Sequence, residues 1–205
     1  KGNILDPVDI INKYGLDQLR YYLIKEVSLG NDGTISLKSI ENCINGDLAN
    51  NFGNLCQRVF AFVKNNCENK VPRFDHLSHP DISLLNSISD SLNDLKGAMN
   101  HQELNSYVKI TISKSFQVNK YINDMQAWSL KETDIKRMQT ILYVALEAIR
   151  KISILLSPII PNSSKKIFQA LNLNEKSINL QSVKDHYALK ADSKLNELNI
   201  LFKKI

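Results

Sequence analysis

Asn51, Asn54, Arg58 and Asn65 fall along one stretch of the chain. On a helix that turns by about 100 degrees per residue their spacing aligns them on a polar edge beside an apolar stripe. Amide and guanidinium groups so placed suit hydrogen bonding to the edges of unpaired bases, and arginine can also stack or fork onto a phosphate. The same residues would serve as a solvated helix face. Trp128, the only tryptophan, lies between two helical patterns rather than within an apolar stripe, with Lys120, Lys131, Lys136 and Arg137 flanking it. An aromatic among cations is what single-stranded nucleic acid uses, with the ring on a base and the cations along the backbone. A lone tryptophan at a helix junction also works as a hydrophobic staple.

Signatures of bond-making chemistry are missing: there is no P-loop, no G-x-S-x-G, no H-E-x-x-H and no glycine-rich dinucleotide turn. The expectation is a segment that performs no catalysis itself and holds no cofactor. His76-x-x-His79 has metal-like spacing, but it lies in a proline-containing stretch without a nearby cysteine, so exposed histidines are expected and no metal site. Cys43, Cys56 and Cys67 are odd in number, lack C-x-x-C spacing and fall in helical patterns, which argues against a disulfide framework or zinc knuckle and for the cytosol. The net charge of +5, from 26 basic and 21 acidic residues, is dominated by lysine and allows a polyanion partner without demanding one. The longest apolar run, 152–160, is broken by Ser153, Ser157 and Pro158 and falls far short of the roughly 20 residues a membrane helix needs.

These side chains have to be carried by helices, since the chain holds only 5 Pro and 7 Gly and its apolar residues recur at helical spacing. Asp6-Pro7 starts a short helix that Gly15 ends before Asp17 opens the next. Asn31-Asp32-Gly33 reads as a tight turn, Ser36 as the cap of a helix with Leu37, Ile40 and Ile44, and Asn45-Gly46 as another turn. A long helix from Asp47 to about Asn66 carries Leu48, Phe52, Leu55, Val59, Phe62 and Val63 as its apolar stripe. After a loop to Pro80, Asp81 is expected to open a helix with Ile82, Leu85, Ile88, Leu92, Leu95 and Met99, followed by one from Glu103 to about Met125. A fourth long helix runs from Ile135 to Leu156 and is stopped by Pro158 and Pro161 before a short one over 165–171. Leu195, Leu198, Leu201 and Phe202 have helical spacing and predict a docking helix in the tail. The sum is an all-α antiparallel helix bundle with a short helical connector before it and a tail helix after it.

The opening residues, KGN, begin without Met or signal peptide, as if within a longer protein. From there residues 1–33 resemble the segment behind the KMSKS loop of bacterial methionyl-tRNA synthetases: G-N-x-x-D-P, then Y-G-x-D-x-x-R-Y-Y-L, E-V and G-x-D-G. The D-P and Y-G-x-D-x-x-R parts are shared with the valine, leucine and isoleucine enzymes of class I, whereas Tyr21-Tyr22-Leu23 and Gly30-Asn31-Asp32-Gly33 point to the methionine enzyme. The stretch from Asp47 to Leu55 resembles the family's helix entry, and Asn119-Lys120-Tyr121-Ile122 leading to Trp128-x-Leu130 resembles its N-x-Y element and anticodon-stacking tryptophan. The resemblance covers essentially the whole chain.

What it implies is a connector over 1–35, an anticodon-binding bundle over 36–173 and a tail over 174–205. The bundle would recognise the CAU anticodon stem-loop of methionine tRNAs, with Asn54, Arg58, Trp128 and Asn123 at the anticodon and Lys64, Lys120, Lys131 and Lys136 as weaker backbone contacts. The partners would be that tRNA and the enzyme's own catalytic domain, with no membrane and no DNA, in the cytoplasm. ATP, and with it a zinc-bearing insertion, would belong to the catalytic part; Lys1 would directly follow the KMSKS loop and have no catalytic role. Two departures stand beside the site: Ala127 where the family usually has Pro, and Asn123 where it has Asp. Two rivals are an anticodon domain of a related class I enzyme and a non-catalytic helical scaffold that binds protein.

Overall fold

Asp6 accepts a hydrogen bond from the Val8 amide at 2.8 Å, and Pro7 presets the backbone for the first turn of α1 (Pro7–Tyr14). Gly15, at φ +105°, ends it, and α2 (Leu16–Glu26) follows at once. The chain is a computed structural model that describes residues 5–30, 33 and 35–205. The expected Asn31-Asp32 turn and Lys1 lie outside the described residues. α3 (Leu37–Cys43) starts at Ser36, whose hydroxyl accepts from the Ser39 amide, and winds without a break through a π-helical segment (Ile44–Gly53) into α4 (Asn54–Asn66). Next come α5 (His79–Asn100), α6 (Leu104–Asp124), α7 (Ile135–Leu156) and α8 (Pro161–Ala170). Among the described residues there is no strand, only an isolated bridge between Lys70 and Lys194.

α5, α6 and α7 pack on one another, with the π segment and α4 closing the bundle against α6 and α7. α7 is the axis of the core: Met138 and every residue from Thr140 to Leu156 are buried. A helix buried on all sides needs partners on all sides, and α4, α5, α6 and α8 supply them. No described helix is long and apolar enough to cross a membrane.

The details depart from sequence expectation in four places. Asp17 does not cap its own helix. Its carboxylate, buried at 3 % exposure, accepts from the Ser163 amide at 2.6 Å and the Ser163 hydroxyl at 2.7 Å, and so caps α8 from a distance. Ser78, not Asp81, is the N-cap of α5; Asp81, at the third helical position, accepts from the Ser78 amide and hydroxyl, both at 2.8 Å. Asn45-Gly46 is not a turn, because the backbone continues through both in π winding. Finally, the tail docks but is not α-helical. It makes short 3-10 turns at Glu175–Ser177 and Leu180–Lys184 and then runs irregularly, while Leu195, Leu201 and Phe202 are buried and Leu198 half-buried. The apolar spacing marked which residues would be buried; the groove they enter decided the backbone.

Candidate nucleic-acid interface

Four of the residues singled out by sequence come from two places in the bundle. Asn54 and Arg58 lie one turn apart on α4, at the point where π winding gives way to α. Asn123 is at the end of α6, and Trp128 sits on the turn after it. The turn is made by Gln126, which ends the helical path at φ +49°, a left-handed conformation uncommon for a residue with a side chain. Its carbonyl accepts from the Ser129 amide at 2.9 Å and hydroxyl at 2.8 Å. Ala127 in this turn is fully buried.

Arg58 lies over the Trp128 ring, with the guanidinium carbon 4.5 Å from the ring centroid. Its Nη2 also reaches Asn123 Oδ1 at 3.5 Å. Phe62, one turn further along α4, meets the same indole edge-on, centroids 6.0 Å apart at 85°. Trp128 is therefore half-buried, held at its edge by the core and covered on a face by a cation, and so combines the staple with a stacking surface. Asn54 and Asn123 are exposed. Among the described residues this is a flat cationic surface backed by an aromatic ring and bordered by amides, a set that can stack on a base and hydrogen-bond its edge.

Asn51 does not join this edge. It is buried, donates to Ser115 Oγ at 2.6 Å and accepts from Asn119 Nδ2 at 2.8 Å. The i→i+5 winding of the π segment turns less per residue than the α-helix assumed from sequence, which swings Asn51 towards α6. Asn65 is exposed on the last turn of α4. Arg137 is also withdrawn from the cationic set: it forks onto buried Asp81 at 2.6 and 2.8 Å, and the Tyr121 hydroxyl donates to the same carboxylate at 2.6 Å. Burial opposes the charge on Asp81, but Arg137, Tyr121 and Ser78 outweigh it and hold the carboxyl down to about 2.

The four candidate lysines are all exposed, and each has a carboxylate near: Lys64 with Glu197 at 3.7 Å, Lys120 with Asp124 at 2.5 Å, Lys131 with Glu132 at 3.5 Å and Lys136 with Asp75 at 3.5 Å. Exposed pairs of this kind are worth little and are screened by salt, so a phosphate can displace the carboxylate. His76 and His79 are exposed, and among the described residues no group of three or more His, Cys, Asp or Glu side chains is placed to hold a metal ion. The cysteines are free, and burial pushes the Cys43 thiol up to about 12 and that of Cys67 up to about 11.

Two family models match this chain. Residues 71–205 match one described as the anticodon binding domain of methionyl tRNA ligase, and residues 1–60 match one described as tRNA synthetases class I (M). The chain belongs to the methionyl-tRNA ligase family. The methionine–tRNA ligase of Brucella suis is 39% identical over 170 residues, which cover 83% of this chain and 33% of that protein. That of Rickettsia felis is 35% identical over 206 residues, covering 98% of this chain and 40% of that protein. Among solved structures, the methionyl-tRNA synthetase of Mycobacterium tuberculosis in its free state superposes with a TM-score of 0.93 at 30% identity, over 100% of this chain and 42% of that one. The same protein bound by methionyl-adenylate matches at 0.93 and 31%, over 98% of this chain and 40% of that one. The chain thus spans a third to two fifths of the length of these relatives.

Membership in the methionyl-tRNA ligase family gives structural meaning to motifs that sequence alone left unexplained. In Y-G-x-D-x-x-R, Asp17 caps α8 while Arg20 donates to the carbonyls of Pro158 at 2.8 Å and Ile159 at 3.0 Å, so two side chains clamp α2 onto the break between α7 and α8. In the N-x-Y element, Asn119 holds Asn51 and Tyr121 holds Asp81. Phe62, read from sequence as a core position, supports Trp128 instead; the signal was its place at the edge of the stripe.

Proposed function

We propose that this chain reads the CAU anticodon of methionine tRNAs, as the anticodon-binding part of an ATP-dependent methionine–tRNA ligase. The observation that carries the reading is the Arg58–Trp128 stack beside exposed Asn54, in a chain whose residues 71–205 match the anticodon-domain model. An unpaired base stacks on the tryptophan–guanidinium surface, and Asn54, Asn123 and the Arg58 N–H groups take its edge. Lys64, Lys120, Lys131 and Lys136 follow the backbone and contribute position rather than sequence choice. Residues 1–35 connect to a catalytic domain, 36–173 form the reading bundle and 174–205 brace it. Methionine activation with ATP, and transfer to tRNA, belong to the catalytic domain, as does any zinc; the setting is the cytoplasm.

Trp128 is the only tryptophan, so its fluorescence reports this site alone. An RNA stem-loop carrying CAU is expected to change that signal and to bind more tightly than the same loop with an altered anticodon. Trp128→Ala and Arg58→Ala should each weaken binding about tenfold or more, the worth of one base stack, without unfolding the bundle. If both variants melt far below wild type, the two residues are core and the assignment fails.

A further inference from the structure

The tail from Leu195 to Ile205 runs antiparallel along the π segment and α4, which carry Asn54 and Arg58. At one end the Leu195 amide donates to the Asn69 carbonyl at 2.9 Å, and the Asn69 side chain returns a bond to the Leu195 carbonyl at 2.9 Å. Glu197 then pairs with Lys64 at 3.7 Å, and Leu198 lies across from Gln57, Phe60 and Ala61, a cavity of about 240 Å³ between them. Further along, Phe202 is buried against the π segment. A Cβ on Gly53 would stand 3.1 Å from Phe202 Cδ2 and 2.8 Å from the Leu48 carbonyl. At the other end Asn45 grips the main chain of Ile205 twice, donating to its carbonyl at 2.8 Å and accepting from its amide at 2.9 Å.

We propose that this strap, through Phe202 and the Asn45–Ile205 clasp, is a positioning element for anticodon reading: it holds the π-helical segment in the register that aims Asn54 and Arg58. The proposal rests on the reading of that site given above. The physical need is clear from the winding. π-helix occurs mostly as single-turn bulges, so a run over Ile44–Gly53 requires outside support. Asn51 secures it to α6 through Ser115 and Asn119, and Asp47 secures it to α2 through Tyr21 at 2.7 Å and Lys25 at 3.0 Å. Gly53 is the last π residue before Asn54 and has the Phe202 ring directly over it. If the segment relaxes towards α winding, Asn54 and Arg58 turn relative to Asn51, and Arg58 leaves the face of Trp128.

The test uses the full chain with four variants and three readouts: amide hydrogen exchange, RNA affinity and melting temperature. Phe202→Ala and Asn45→Ala are expected to speed amide hydrogen exchange across residues 44–58 and to weaken binding of the CAU stem-loop about tenfold, the worth of one charged hydrogen bond. Phe202→Leu should restore both. Leu189→Ala is the control: Leu189 is buried in the tail at 4 % exposure but bonds through its main chain to α7, so this variant loses melting temperature without losing RNA affinity. Wild-type exchange and affinity in Phe202→Ala would overturn the proposal, as would a loss of affinity in Leu189→Ala that matches its loss of melting temperature. If wild-type protein binds no CAU RNA, the anticodon reading has failed, and hydrogen exchange over 44–58 still decides whether the strap sets the segment.

Discussion

Arg137 stands close to Trp128 in sequence, yet its charge is spent inside the protein. Its fork onto Asp81 ties the N-terminus of α7 to that of α5, with Tyr121 of α6 on the same carboxylate. Replacing it by leucine leaves Asp81 buried without its cation, at a cost of about 3 kcal/mol in chemical denaturation. Because the folded Asp81 carboxyl is held at about 2, below the usual 3.8, its contribution is present above 3.8 and is lost as the pH falls through 3.8 towards 2. Urea melts below pH 4 should show that limb in wild type and lose it in Arg137→Leu. The exposed lysines behave differently. Alanine at Lys120, Lys131 or Lys136 should weaken RNA binding less than Arg58→Ala does, by a similar factor for every anticodon, and with a shallower salt dependence.

Helix existence and order were legible because apolar residues recur at a period only a helix can bury on one side. Long-range caps were not. Asp17 has the composition of a helix start and stands at the second position of α2, and nothing local says that its carboxylate will instead serve Ser163. Asp17→Ala should cost about 1–2 kcal/mol, the worth of a cap, and should open the start of α8 to proteolysis before the rest of the bundle. The π segment was equally hidden, since Asn45-Gly46 has turn composition and π winding leaves no compositional mark. Its support is tertiary: Asp47 is held from α2 and Asn51 from α6.

Across the whole molecule, the tail is joined to the core by buried polar groups on α7. Arg150 and Glu147 pair at 2.7 Å with no exposure; Arg150 donates to the carbonyls of Ser182 and Asp185, and Glu147 accepts from the Leu189 amide. Lys151 donates to Ser89 and to His186 Nδ1, whose Nε2 faces Asn86. This geometry needs a neutral His186. Burial and the Lys151 ammonium push its pKa down, while burial and Arg150 lower Lys151 to about 8; Asp185 opposes both shifts, with Glu147 acting on Lys151 and Asp90 on His186. In each case the unfolded chain binds more protons across the shifted window, so stability rises with pH: it declines as the pH falls below 6.5 and increases again between about 8 and 10.5. His186→Gln should flatten the first limb in urea melts between pH 5 and 7. Periodicity, capping residues and motif spacing were enough to assign an all-α bundle and its family resemblance, and to single out Asn54, Arg58 and Trp128 as candidates, because those signals are local. Only the tertiary structure decided that Arg58 covers Trp128, that Asn51 and Arg137 are withdrawn, and that the tail is a strap rather than a helix, because each depends on a partner more than fifty residues away in sequence.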